Sequence, residues 1–277
     1  MRDSWDRRIR RAEQLAADAG PAASLLAFYA RLLRQQQAIY DSLQGRSITG
    51  ALEQEVTLLT RAGSAVLEEV AAHGPAPLVA EARALLARDG SALAARLAAY
   101  WRDRSDRQFF AKAILQPYAQ RCAETGVDAA RSPERLALLP PGSRLQHARG
   151  ASLSGERCPR CGGAPQLSIL DAAAADSLEG GSRELLCATC LTTWPFRRVL
   201  CPACGEEDER KLGYFQSPAL EHVRVDACET CRRYLKTVDR SRLGLAVPLV
   251  DEVAGASLDI WAQEHGYTKI ELNLVGL

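Results

Sequence analysis

Up to about residue 122, apolar side chains recur three and four positions apart, the spacing of one face of an α-helix. Leu25, Leu26, Tyr29, Leu32, Leu33 and Ile39 predict a helix to about Leu43, with Pro21 suited to its first turn. Leu52, Val56, Leu59 and Val66 mark a second, from about Gly50 to Ala72, which His73-Gly74-Pro75 stops. Two more are expected at about Leu78–Arg88 and Ser91–Leu115, the latter closed by Gln116-Pro117. The filling residues are Ala, Leu, Arg, Glu and Gln, all good helix formers, so the simplest architecture is a helical bundle. No catalytic constellation falls within it. His73 stands beside a helix end, and Cys122, alone in sequence, reads as a buried structural thiol.

The pattern changes after Glu124. Residues 124–150 carry Gly126, Ser132-Pro133 and Pro140-Pro141-Gly142 but few periodic apolar positions, which makes them a connector with a short strand or turn around Leu136–Leu139. Beyond it the apolar runs are short and strand-like: Gln166–Leu170, Glu184–Leu186, Lys211–Phe215 and Val223–Asp226. Thr192–Val199 and Tyr234–Val238 supply a third strand to each of two units. The expected fold class is α+β: an N-terminal α-helical bundle, two tandem small β modules of ribbon type, and a short C-terminal helix. The expected divisions are residues 1–150 for helices and connector, 151–198 and 199–245 for the two four-cysteine modules, and 246–277 for the helix and tail.

Eight of the nine cysteines lie in the modules, as Cys158/Cys161, Cys187/Cys190, Cys201/Cys204 and Cys228/Cys231. The first and third pairs share the form Cys-Pro-x-Cys-Gly, and the second and fourth share Cys-x-Thr-Cys, so one unit has been duplicated. In such a turn two sulfurs converge while Pro159 and Pro202 preset φ and Gly162 and Gly205 allow the positive φ that closes it. Two facing turns make a tetrahedral four-sulfur site suited to zinc or iron, and a module this small needs such a pin in place of a core. The repeat favours pairing the first turn with the second and the third with the fourth over an interleaved cross-brace. A closed four-thiolate site has no open position for hydrolytic catalysis. Bound iron would still allow one-electron transfer, so an electron-donating redox protein remains a rival reading.

Charge narrows the partners. Lys and Arg total 35 against 34 Asp and Glu, and residues 151–245 carry as many acidic as basic side chains, which disfavours a nucleic-acid binder. One basic stretch, Arg232, Arg233, Lys236, Arg240 and Arg242 around Tyr234, keeps a zinc-ribbon nucleic-acid-binding protein as the alternative. His222 reads as an exposed strand residue. The arginines near the N-terminus are not followed by an apolar leader, and no run is long enough to span a bilayer, so a soluble cytoplasmic protein without membrane insertion is expected. In that compartment the cysteines read as metal ligands rather than disulfides.

Beyond the cysteine pairs, the run Tyr234-Leu-Lys-Thr-Val-Asp239, the segment Leu258-Asp-Ile-Trp-Ala262 and the closing Glu264-His-Gly-Tyr267 and Asn273-Leu-Val-Gly-Leu277 complete a recognisable order. The chain closely resembles the formate dehydrogenase accessory protein FdhE family, over most of its length and most densely from Cys158 onward. The resemblance implies a cytoplasmic, non-enzymatic maturation factor that binds the catalytic subunit of respiratory formate dehydrogenase. It also implies rubredoxin-like modules that hold two iron ions per chain through Cys158, Cys161, Cys187, Cys190, Cys201, Cys204, Cys228 and Cys231. From the residues alone zinc fits as well as iron, and a homodimer through the Leu- and Ala-rich helices stays open.

Overall fold

A computed structural model describes residues 2–18, 20–103, 108–127, 155–172 and 182–277. The amphipathic N-terminal sequence forms α1 (Arg2–Ala17), α2 (Ala23–Ser42), α3 (Leu52–His73), α4 (Ala76–Leu86), α5 (Gly90–Arg102) and α6 (Phe109–Glu124). Where one helix was expected from Ser91 to Leu115 there are two. The first ends at Arg102 and the second begins at Phe109, and the sequence 103–107 offers no apolar residue to continue a helical stripe. Nor does Pro117 end the second of them. It sits inside α6, where its missing N–H leaves the Ala113 carbonyl without its helical donor. The side-chain amide of Gln36, buried on α2, donates to that carbonyl at 2.9 Å instead. A glutamine on one helix thus repairs the proline in another. The strand or turn expected near Leu136–Leu139 lies outside the described residues.

The strands are β1 (Pro165–Leu170), β2 (Arg183–Cys187), β3 (Thr193–Pro195), β4 (Leu212–Gln216), β5 (Val223–Cys228), β6 (Arg233–Asp239) and β7 (Thr268–Lys269). The two expected modules are both present, each an antiparallel run of three strands. They do not stand apart. β1 and β6 pair in parallel, Leu167 opposite Lys236 through Leu170 opposite Asp239, giving one mixed sheet of order β3-β2-β1-β6-β5-β4 with β7 beside β6. The C-terminal region holds α7 (Pro248–Ala254) and α8 (Ala256–Glu264), where a single short helix was expected.

One apolar core joins these parts. It runs from Trp5 and Leu32 of the helices through Cys158, Leu185 and Trp194 to Val250 of α7. A second cluster packs Val223, Val225 and Val238 against Leu258 and Ala262 of α8. Trp261 lies against Phe215, ring centroids 4.4 Å apart, so α8 covers the second module.

Buried charge holds α7 and α8 in place. Asp251 of α7 accepts from Arg11 of α1 at 2.5 and 3.1 Å, from the Val247 backbone at 2.7 Å, and pairs with His222 Nε2 at 2.8 Å. His222 is therefore a largely buried partner of Asp251, not an exposed strand residue. Glu252 and Asp259 meet Lys236 and Lys269 in a second, fully buried cluster. Asn273 completes it by donating to Glu252 at 2.8 Å while its own carbonyl oxygen accepts from the Val275 and Leu277 amides. The terminal Asn-Leu-Val-Gly-Leu run is thus folded inward on α7. Among the described residues no helix is long and apolar enough to cross a membrane.

Candidate metal centres

The eight paired cysteines converge in two groups, Cys158, Cys161, Cys187 and Cys190 in one and Cys201, Cys204, Cys228 and Cys231 in the other. This is the sequential pairing the duplication favoured. Within each group the four sulfurs lie within 4.8 Å of one another. Cross-turn separations are 3.5 Å for Cys158–Cys190 and 3.4 Å for Cys161–Cys187, and 3.8 Å for Cys201–Cys231 and 3.7 Å for Cys204–Cys228. A disulfide would bring two sulfurs to about 2.05 Å. A tetrahedron with metal–sulfur bonds of about 2.3 Å has edges of about 3.8 Å. The donor sets fit a tetrahedrally bound ion and not a pair of disulfides.

Each turn is built the same way. The Gly162 amide donates to the Cys158 carbonyl, Leu191 to Cys187, Gly205 to Cys201 and Arg232 to Cys228, at 2.9 to 3.2 Å. All four residues that follow the second cysteine of a pair have positive φ: 69° at Gly162, 58° at Leu191, 74° at Gly205 and 55° at Arg232. Glycine meets that demand freely, whereas leucine and arginine carry a cost of about 1 kcal/mol or more. The sequence signalled this only by position, since Leu191 and Arg232 occupy the glycine slot of the repeat. Gly163 serves differently. A Cβ there would lie 3.0 Å from Cys187 Sγ and Thr189 Oγ1, so the sulfurs close over bare backbone.

The two groups differ in surroundings. All four cysteines of the first are buried, whereas Cys204 of the second is exposed and Cys231 partly so. The first is braced from the helices by Gln116 of α6, which donates to the Ala188 carbonyl inside its second turn at 2.9 Å and accepts from Gln36 at 3.2 Å. Sequence gave no sign of this brace, because Gln116 read as the end of a helix. Cys122 is buried as expected, and burial pushes its thiol up to about 12, which suits an inert core residue.

Burial and sulfur–sulfur hydrogen bonds set the thiols of each group apart in acidity, raising some and lowering one. In the first, hydrogen bonding with Cys161 raises Cys158 and burial raises Cys187, while the bond from Cys158 draws Cys190 down. In the second, burial raises Cys201 and lifts Cys231 to about 11. A cation at the centre is what would let all four ionise together.

The basic stretch that kept nucleic acid in view is broken up. Lys236 and Tyr234 are wholly buried, Arg240 is paired with Asp171 and Arg232 with Glu229. Of this stretch, Lys236 is withdrawn into the core, and Arg232, Arg240 and Arg242 are each paired with an acidic neighbour.

A family model described as "FdhE, C-terminal domain" matches residues 199–275. A "Protein FdhE homolog" of Aquifex aeolicus is 41% identical over 120 residues, covering 43% of this chain and 41% of that protein. Another from Haemophilus ducreyi is 33% identical over 122 residues, covering 43% of this chain and 38% of that one. The aligned stretches therefore span well under half the length of these relatives. The crystal structure of the FdhE protein from Pseudomonas aeruginosa superposes with a TM-score of 0.65 over 99% of this chain and 96% of that one, at 24% identity, and so shares the fold.

Proposed function

We propose that the chain is a member of the FdhE family and a non-enzymatic metal-binding accessory protein that assists the catalytic subunit of a formate dehydrogenase, a reading supported by the family-model match at residues 199–275 and the similarity to FdhE homologs. The observation that carries the metal part is the convergence of eight thiols into two sets with near-tetrahedral edges. Cys158, Cys161, Cys187 and Cys190 would hold one ion, and Cys201, Cys204, Cys228 and Cys231 the other. In this reading residues 151–198 and 199–245 each carry a centre, and residues 1–150 and 246–277 supply partner surface. We assign iron, with zinc as the alternative. The buried first centre serves structure, and the second, open at Cys204, is placed to answer the redox state of its surroundings. Four protein ligands leave no position for substrate, which supports accessory work over catalysis. The dispersal of the basic stretch weighs against nucleic acid as partner.

Metal analysis with a visible spectrum, on protein purified without oxygen, tests the assignment. About two iron atoms per chain with thiolate charge-transfer bands support it, the count following from one ion per four-sulfur site. Zinc without colour would leave both centres structural and remove the redox role. Co-purification with the formate dehydrogenase catalytic subunit tests the partner, and its failure under conditions where both are folded would sink that part.

A further inference from the structure

β4 ends the sheet, and among the described residues no strand pairs with its outer side. The Glu229 amide donates to the Lys211 carbonyl across the β4–β5 pair. Bonding alternates along an antiparallel pair, so Gly213 and Phe215 bond β5, while Tyr214 and Gln216 turn their N–H and C=O groups to the open side. Native edges are commonly blunted by lysine, proline or an inward charge. Leu212-Gly-Tyr-Phe-Gln216 has none of these. It presents aromatic rings on both faces instead. Tyr214 is 63% exposed. The Phe215 ring lies over Gly213, 3.5 Å from where a Cβ would stand, and against Trp261 of α8.

The first module shows what such an edge takes. Leu170 lies opposite Arg183 and Gln216 opposite Arg224, and each arginine stands four residues before the first cysteine of its turn, so Leu170 and Gln216 correspond. On β1 the Leu170 carbonyl accepts the Arg240 amide at 2.8 Å. There β6 runs parallel, with Thr237 beside Ser168 and Val238 beside Ile169. Carried onto β4, the same register sets a threonine beside Tyr214 and a valine beside Phe215. We propose that the open edge of β4 binds an extended segment of a partner protein, parallel to β4, with β-branched side chains beside Tyr214 and Phe215. Main-chain bonds to Tyr214 and Gln216 supply the hold, and the β-branched residues pack on the two rings. A second copy of this chain fits less well. Two β4 strands meeting about a two-fold axis run antiparallel, and β3, at the other end of the sheet, is three residues long and closes in Pro195, which has no N–H to offer. Nothing in this surface depends on bound metal or on which client the protein serves.

The test is an amide correlation spectrum of the full-length chain, titrated with a capped peptide of sequence Tyr-Leu-Lys-Thr-Val-Asp-Arg, that of residues 234–240. The Tyr214 and Gln216 amide resonances should move downfield and saturate at about millimolar peptide or below. A spin label on the peptide's N-terminus should broaden Leu212 more than Gln216, as parallel docking requires. N-methylation at the valine nitrogen, which faces β4 in this register, should weaken binding about tenfold, whereas N-methylation at the threonine, facing away, should leave it unchanged. Tyr214→Pro removes an N–H from the open side while sparing the bonds to β5, and should abolish the shifts. Tyr214→Ala keeps the backbone intact and should weaken binding about fivefold through the lost ring, which keeps the test decisive if the proline variant fails to fold. Absence of a saturable shift, equal effects of the two N-methyl groups, or the reverse broadening pattern overturns the proposal. So does movement of the same amides on dilution without peptide, which would give the edge to a second copy of the chain.

Discussion

Lys236→Met tests how the C-terminal half is held together. The lysine is 0% exposed, bonds Glu252 at 3.1 Å and Asp259 more closely, and donates to the carbonyls of Glu252 and Gly255. Burial opposes ionisation of Glu252, but Lys236 and Lys269 outweigh it and hold the carboxyl at about 2, against an ordinary 4.5. A depression of that size contributes on the order of 3 kcal/mol at neutral pH, shared between the two lysines. Adding the stranded carbonyls gives about 3–5 kcal/mol, the usual cost of opening a buried ion pair. The sign with pH follows. Glu252 contributes in full above its unfolded value of 4.5, and the contribution fades as pH falls toward 2. The gap between parent and variant should therefore narrow over that interval. Denaturant unfolding followed by tryptophan fluorescence, repeated at several pH values, measures both effects. A loss under about 1 kcal/mol, as for a surface lysine, with no change on the acid side would refute the reasoning.

Other outcomes follow from the cysteine sites. Gly163→Ala should crowd Cys187 Sγ and lower metal content at the first centre alone, read as loss of about half the bound metal by elemental analysis. A chelator or thiol reagent should strip the second centre before the first, because Cys204 is exposed and the first set is buried; simultaneous loss would contradict the asymmetry. Gln116→Leu should strand the Ala188 carbonyl, cost about 1–3 kcal/mol, and speed metal release from the first centre, measured by a chromogenic chelator.

Much of this was legible in the residues. Period-3.6 runs marked α2, α3 and α4, and alternating short runs placed β1, β2, β5 and β6 within a residue or two. The duplicated cysteine turns showed which sulfurs would meet, because two residues and a glycine leave little conformational choice. What escaped were features decided by distant partners. Pro117 reads as a helix end unless Gln36, 81 residues earlier, is known to bond Ala113. Lys236 reads as surface charge until Glu252 and Asp259 close over it from two later helices. The parallel β1–β6 join left no local mark at all, since a strand's own pattern does not name its neighbour.

That join has a geometric corollary. β1 and β4 are the same strand of the repeated unit, and β3 and β6 are likewise copies. The two units therefore meet by translation, the first strand of one against the last strand of the other, and not about a two-fold axis. A two-fold contact uses itself up, but a translational one regenerates its own acceptor. The outer edge of β4 is the copy of the edge that β6 occupies on β1. At the opposite end the array is blunted by a three-residue β3 that finishes in Pro195. A lone unit of this design carries both sides of that join, so copies of it would stack edge to edge into an open-ended ribbon.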